Sequence, residues 1–336
     1  MLCLAAVVFC GRLTGQLGIA HAEPPSLRSV STIGMTVADL DASIRFFVEV
    51  LAFEEVSRRE VVGDELLSAQ RIESPVTRVA RLKLGEEQIE LTEFVSPKGR
   101  PFPEDSRSND RWFQHVAVIV SDMDKAHSRI HQKMVRHASK DPQRLPDWNK
   151  NAAGIKAFYF RDPDGHFLEI LEFPPDKGDP KWHLTTDRLF LGIDHTAIVV
   201  ADTQRSLAYY RDALGLKVVG GGENYGTEQE SLNNVPGAHL RITTLRAPAG
   251  PGIELLEYLN PRDGRPFPSD SRPNDILHWQ TTLISSNAEE TGQALKRRGF
   301  SIVPVRSDSM IDRPDAVKNV ILVHDPDGHA MQVVQE

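Results

Sequence analysis

Hydrophobic and polar positions along the chain change period in a fixed order. STIGMTVADLDASIRFF (31–47) opens on an alternating β-branched run and closes on apolar residues at helical spacing. An Asp between the two is placed to cap the helix, which is predicted over 39–51. VARLKL and QIELTEF then return to strand period. The same order recurs in HVAVIVSDMDKAHSRI (115–130), which predicts a strand and a helix near 122–136, followed by the strands IKAFYF and HFLEILEF. Between those two strands lies DPDG, a tight-turn segment in which Pro presets φ and Gly is free to take positive φ.

The pattern is itself repeated. DHTAIVVADTQRSLAYY (194–210) matches 31–47 in its V-A-D, the following Ser and the aromatic pair. GRPFPEDSRSND (99–110) returns as GRPFPSDSRPND (264–275), QIELTEF (88–94) as GIELLEY (252–258), and RDPDGHFLEI (161–170) as HDPDGHAMQV (324–333). Two duplicated domains, 30–174 and 190–336, are expected on either side of a Pro-rich polar linker at 175–189. Each holds two units, so the expected fold is α+β: four βαβββ units paired two by two into two curved mixed sheets.

Composition bounds the partners. The 336 residues are 40% hydrophobic and 26% charged with net charge −8, which argues against nucleic acid or an anionic membrane surface as partner. Residues 1–22 carry the short apolar run MLCLAAVVFC and end in Ala20-His21-Ala22, which fits a secretory leader cut after Ala22 and a secreted or periplasmic product. Both cysteines, Cys3 and Cys10, fall in that leader, so the mature chain is expected to use neither disulfides nor thiolates. No other apolar run is long enough for a membrane span. The expected partner is a small molecule, and the chain a monomer or homodimer.

The strand-V-x-D-helix openings, the paired I-E-L strands and the two DPDGH turns followed by Glu169 or Gln332 resemble the vicinal oxygen chelate superfamily. That superfamily includes glyoxalase I, type I extradiol dioxygenases, methylmalonyl-CoA epimerase and bleomycin-resistance proteins. The resemblance implies an eight-stranded cup formed by each pair of units around a divalent metal, with ligands on the first and last strands of each unit. It places those positions on Thr32, Glu90, His115 and Glu169 in domain 1, and on His195, Glu254, Gln280 and Gln332 in domain 2. His278, on the same strand face as Gln280, is a further candidate.

With one cup per domain, domain 1 offers Glu90, His115 and Glu169 as metal ligands, with Glu169 also as proton-transfer base. Domain 2 offers the weaker set His195, Glu254, Gln280 and Gln332. Nitrogen and oxygen donors of this kind suit Fe, Mn, Ni, Co or Zn. His166 and His329 read as turn residues, and His127 and His131, four apart on a helix, as a solvated face. The GRPFP segments read as connectors whose Asp and Arg bond across the duplicate. The alternative puts Arg100, Arg107, Arg265 or Arg272 on an anionic substrate group. LNNVPGAHLRI reads as a loop, with Asn233 and Tyr225 as candidates to reach a ligand. Three functions follow: metal-dependent isomerase, epimerase or lyase chemistry; ring-cleaving dioxygenation; and non-enzymatic small-molecule binding of the bleomycin-resistance type.

Overall fold

A computed structural model describes residues 27–63, 70–306 and 319–336. The expected leader lies outside them. Unit 1 comprises β1 (Leu27–Val37), α1 (Leu40–Leu51), β2 (Glu54–Val62), β3 (Val76–Leu84) and β4 (Glu87–Ser96). Unit 2 comprises β5 (Gln114–Val120), α2 (Met123–Gln132), the two-residue β6 (Gln143–Arg144), β7 (Lys156–Arg161) and β8 (Phe167–Glu172). Unit 3 runs β9 (Phe190–Val200), α3 (Thr203–Tyr210), β10 (Lys217–Tyr225), α4 (Thr227–Asn233), β11 (His239–Arg246) and β12 (Gly252–Asn260). Unit 4 runs β13 (Trp279–Ser285), α5 (Ala288–Arg297), β14 (Ile302–Arg306), β15 (Asn319–His324) and β16 (Ala330–Gln335).

Each strand-to-helix corner is made the same way. Asp39, Asp122, Asp202 and Asn287 are extended and accept the backbone N–H three residues on, at 2.9, 3.0, 2.8 and 3.0 Å, which satisfies an otherwise orphaned helix donor. The helix α4 has no counterpart in the sequence reading, which took its last residues, from Leu232, as the start of a loop.

The sheets are eight-stranded, as expected, but units pair differently. One sheet runs β14-β15-β16-β13-β1-β4-β3-β2 and the other β10-β11-β12-β9-β5-β8-β7-β6. Unit 1 therefore shares its sheet with unit 4, and unit 2 with unit 3. The seams are antiparallel, β1 against β13 and β5 against β9. This corrects the expectation of one cup per domain.

The cores explain the exchange. Outer, helix-bearing faces of units 1 and 2 pack back to back: Ile44, Phe47 and Leu51 of α1 share one buried cluster with Val116, Val118, Met123, Ile130 and Phe158. Units 3 and 4 do the same through residues including Leu207, Tyr210, Leu295 and Val333. With its outer face buried inside its own half, each unit can close its inner, concave face only against a unit of the other half.

The two DPDGH turns lock this arrangement. Asp162 Oδ1 accepts the N–H groups of Asp164, Gly165 and His166 at 2.8–3.0 Å, and Asp325 Oδ1 repeats the pattern with Asp327, Gly328 and His329. Asp164 then reaches the Ala38 N–H of unit 1, and Asp327 the Ala201 N–H of unit 3.

His166 is fully buried, with Nδ1 2.7 Å from Asp162 Oδ2 and Nε2 2.6 Å from the Ile276 carbonyl oxygen. A ring facing acceptors at both nitrogens carries two protons. Burial opposes that charge, but the Asp162 carboxylate outweighs it and raises the His166 pKa above its ordinary value. A raised folded-state pKa adds stability that is complete below about pH 6.5 and is lost as pH rises through the folded value, at up to about 1.4 kcal/mol per pH unit. In urea unfolding, His166→Gln is therefore expected to cost more stability at pH 6 than at pH 9.

Candidate metal centre

The seam of the second sheet brings four donors onto one face. In register across it, β12 Glu254, β9 Ala197, β5 His115 and β8 Phe167 form one row; Gly252, His195, Ala117 and Glu169 form the next. Positions two apart on a strand share a face. The rows thus set two imidazoles and two carboxylates around Ala117 and Ala197, whose small side chains leave the middle open.

The donor atoms converge. His115 Nε2 lies 3.1 Å from Glu169 Oε2, His195 Nε2 3.6 Å from the same oxygen, and His195 Nε2 3.5 Å from Glu254 Oε2. Donors bound at ~2.1 Å around a tetrahedral ion lie ~3.4 Å apart. The donor atoms of His115, Glu169 and His195 all lie within 4.8 Å of one another and suit a shared cation, with Glu254 beside His195 at its edge. Both ring nitrogens of His115 are buried without a hydrogen-bond partner, so the short approach to Glu169 lacks the direction of an N–H···O bond. An orphaned buried nitrogen beside carboxylates fits a metal-ligand role.

Neighbouring groups hold the donors in place. Asp194 Oδ2 takes His195 Nδ1 at 2.9 Å, leaving Nε2 facing Glu169 and Glu254, and Arg246 holds Asp194 Oδ1 at 2.7 Å. Burial alone would raise Asp194, but His195 and Arg246 keep its carboxyl well below the ordinary range. Burial would lower His195, yet the charges of Glu254 and Asp194 hold it up at about 9. Thr244 Oγ1 donates to Glu254 Oε1 at 2.7 Å and fixes that carboxylate. Asp194 is not among the residues expected from sequence; its signal there is a carboxylate adjoining a ligand-position histidine.

The four donors open onto a cavity of about 660 Å³, with apolar walls including Leu240, Ile242 and Leu256 and polar groups including Asn149 and Gln229. This size suits a small-molecule substrate.

The first sheet carries the same lattice with other residues. Glu90, Gly34, Gln280 and Ala330 form one row, and Gln88, Thr32, Thr282 and Gln332 the next. Its cavity is about 60 Å³. Gln280 Nε2 donates to Gln332 Oε1 at 2.6 Å, and Glu90 is paired with Arg81 at 3.0 Å. Both ligand sets expected from sequence are corrected accordingly. Glu90 is not with His115 and Glu169, Gln280 and Gln332 are not with His195 and Glu254, and the two histidines meet in one cup. His278 borders the small cavity, away from the two-histidine cup, and burial lowers its pKa to about 4.

Other candidates separate similarly. Arg100 is bound to Asp275 at 2.7 Å and Arg265 to Asp110 at 2.7 Å, so the GRPFP segments cross-link the duplicates, as their structural reading expects. None of Arg100, Arg107, Arg265 and Arg272 borders the large cavity, which removes the substrate-anion reading for that site. Tyr225 stacks on Trp148 at 4.3 Å, and Asn233 faces a different cavity. His131 is exposed as expected, whereas His127 is half-buried against Phe158.

Comparison with known proteins agrees with this architecture. A family model described as the Glyoxalase/Bleomycin resistance protein/Dioxygenase superfamily matches residues 28–170 and 192–333. Among curated proteins, a 2-epi-5-epi-valiolone epimerase from Actinomyces sp is 30% identical over 171 residues, 49% of this chain and 90% of that protein. Among solved structures, glyoxalase I from Zea mays superposes with a TM-score of 0.58 at 18% identity, covering 92% of each chain. A putative dioxygenase from Bacillus subtilis superposes with a TM-score of 0.57 at 14% identity, covering 93% of this chain and 86% of that one. With both halves matched and four βαβββ units built into two cups, the chain belongs to the Glyoxalase/Bleomycin resistance protein/Dioxygenase superfamily.

Proposed function

We propose that the protein is a metal-dependent isomerase or epimerase with one active cup, made by units 2 and 3. The convergence of His115, Glu169, His195 and Glu254 carries this reading. A divalent ion bound there, of the Fe, Mn, Ni, Co or Zn class, supplies positive charge that polarises a substrate carbonyl and acidifies the adjacent C–H.

The chain's own groups do the rest. Glu169 on β8 and Glu254 on β12 stand with two strands between them, so they approach a substrate from opposite walls. One carboxylate takes a proton from the carbon and the other returns one, which inverts a stereocentre or moves a carbonyl. Thr244 holds Glu254 in position, Asp194 fixes the His195 ring, and Leu240, Ile242 and Leu256 give the cavity an apolar wall. The likeness to a 2-epi-5-epi-valiolone epimerase supports epimerase chemistry on a small molecule. His115, His195 and Glu169 by themselves make the two-histidine, one-carboxylate set of the dioxygenase reading, and it is Glu254, 3.5 Å from His195, that favours proton-transfer chemistry instead.

The test is metal analysis of the full-length protein purified with Mn²⁺, Fe²⁺ and Zn²⁺ supplied. About one equivalent per chain is expected. Asp194→Asn, which loosens the His195 ring, is expected to weaken that ion roughly 10–100-fold. A metal-free wild type, or two equal ions per chain, would overturn the reading.

A further inference from the structure

A second cavity, about 210 Å³, lies between the connector at 104–108, the segment after α2 and the end of α4. It is separate from the active cavity: Gln229 and Leu232 of α4 border the 660 Å³ cavity, Asn233 this 210 Å³ one. Its walls concentrate hydrogen-bond donors. The Arg161 guanidinium donates to the Ser106 carbonyl oxygen at 2.7 Å and to the Gly165 carbonyl oxygen at 3.4 Å, and rests 4.0 Å over the Phe167 ring. Neither bond neutralises its charge. Arg136 is tied beside it, its carbonyl accepting the Arg161 N–H at 2.8 Å.

Among the described residues neither guanidinium has a carboxylate within ion-pair distance, including Glu104 at the exposed rim. Arg107, by contrast, is already neutralised by Asp263 at 2.8 Å. Burial and the neighbouring Arg136 charge outweigh the more distant Asp162 carboxylate and hold Arg161 down at about 10.

Two further donors face the same space. Asn233 is 1% exposed, and its Nδ2 has no hydrogen-bond partner. Buried Ser106 accepts the Trp112 Nε1–H at 2.7 Å, which leaves its own hydroxyl proton free to donate. The duplicate supplies an internal control. His324 stands where Arg161 does, and the DPDGH turn forms there with the same three N–H bonds. The arginine is therefore not needed to build the turn.

We propose that this cavity binds a phosphate-class dianion, held between Arg136 and Arg161 with Asn233 Nδ2 and the Ser106 hydroxyl completing the shell. Two guanidinium forks match two negative charges, and the volume is below the ~300 Å³ at which drug-sized ligands begin to fit.

The test is calorimetric titration of inorganic phosphate at pH 8 and constant ionic strength, in a full-length His195→Ala background treated with chelator. Phosphate capture by an ion in the active cup is thereby removed, and the result stands apart from the proposed activity. One phosphate per chain is expected. Arg161→His, which copies the duplicate, and the surface change Arg136→Met are each expected to weaken it at least about tenfold. No saturable binding, unchanged affinity in Arg136→Met, or equal affinity for acetate would each overturn the assignment.

Discussion

Alanine in place of His115 or of His195 is expected to strip the metal and the activity to the same extent, although the two residues belong to different halves of the chain. Each contributes one Nε2 to a single donor set, and each is buried where water cannot replace it. On the scale of structural zinc sites, ~10–16 kcal/mol, one of four ligands carries ~3 kcal/mol, on the order of a hundredfold in affinity. Activity at limiting metal should fall at least as far.

The same logic predicts that Gln332→Glu, which restores the carboxylate that distinguishes Glu169 from its duplicate, will not create a second site. The first sheet would gain a charge but no imidazole, and Glu90 there is already neutralised by Arg81. Equilibrium dialysis with Zn²⁺ reads both results. Retention of the ion in His195→Ala alone would show that each half holds its own site.

The second large effect is on stability. Gly99 and Gly264, equivalent residues of the two GRPFP connectors, sit against backbone of the opposite connector. A Cβ at Gly264 would stand 1.8 Å from the Asn109 carbonyl oxygen, and one at Gly99 would stand 2.0 Å from that of Asn274. Backbone cannot yield as a side chain can. These crossings also sit beside the Arg265–Asp110 and Arg100–Asp275 pairs, which are buried on the Asp side. Gly264→Ala is expected to cost about 3 kcal/mol or more, at the upper end of overpacking effects, lowering the melting temperature by roughly 4–5 °C or more. Gly220→Ala, with nothing within 4 Å of the added carbon, is the control and should change little. Equal melting temperatures for the two variants would refute the crossing.

Much of this molecule was legible in its sequence because the signals are local. Asp39, Asp122 and Asp202 each precede an apolar run at helical spacing, and each caps a helix. The V-A-D, I-E-L and DPDGH repeats marked equivalent positions, and the β-sheet registers place Thr32, Glu90, Gln280 and Gln332 on the same lattice as His195, Glu254, His115 and Glu169. The individual ligand positions were therefore readable one at a time.

What the sequence alone determined is the four units, their caps, their turns and the donor each unit carries. Which donors meet was decided only by tertiary structure. The connectors at 97–113, 173–189 and 261–278 are nearly equal in length, so chain reach fits either pairing, and units 2 and 3 are as adjacent in sequence as units 1 and 2. The choice falls to burial. Val116 and Val118 of β5 bury against unit 1 while Ile198 and Val200 of β9 bury in the core of units 3 and 4. That leaves the concave faces of units 2 and 3 to close on each other, and with them two histidines and two glutamates in one cup.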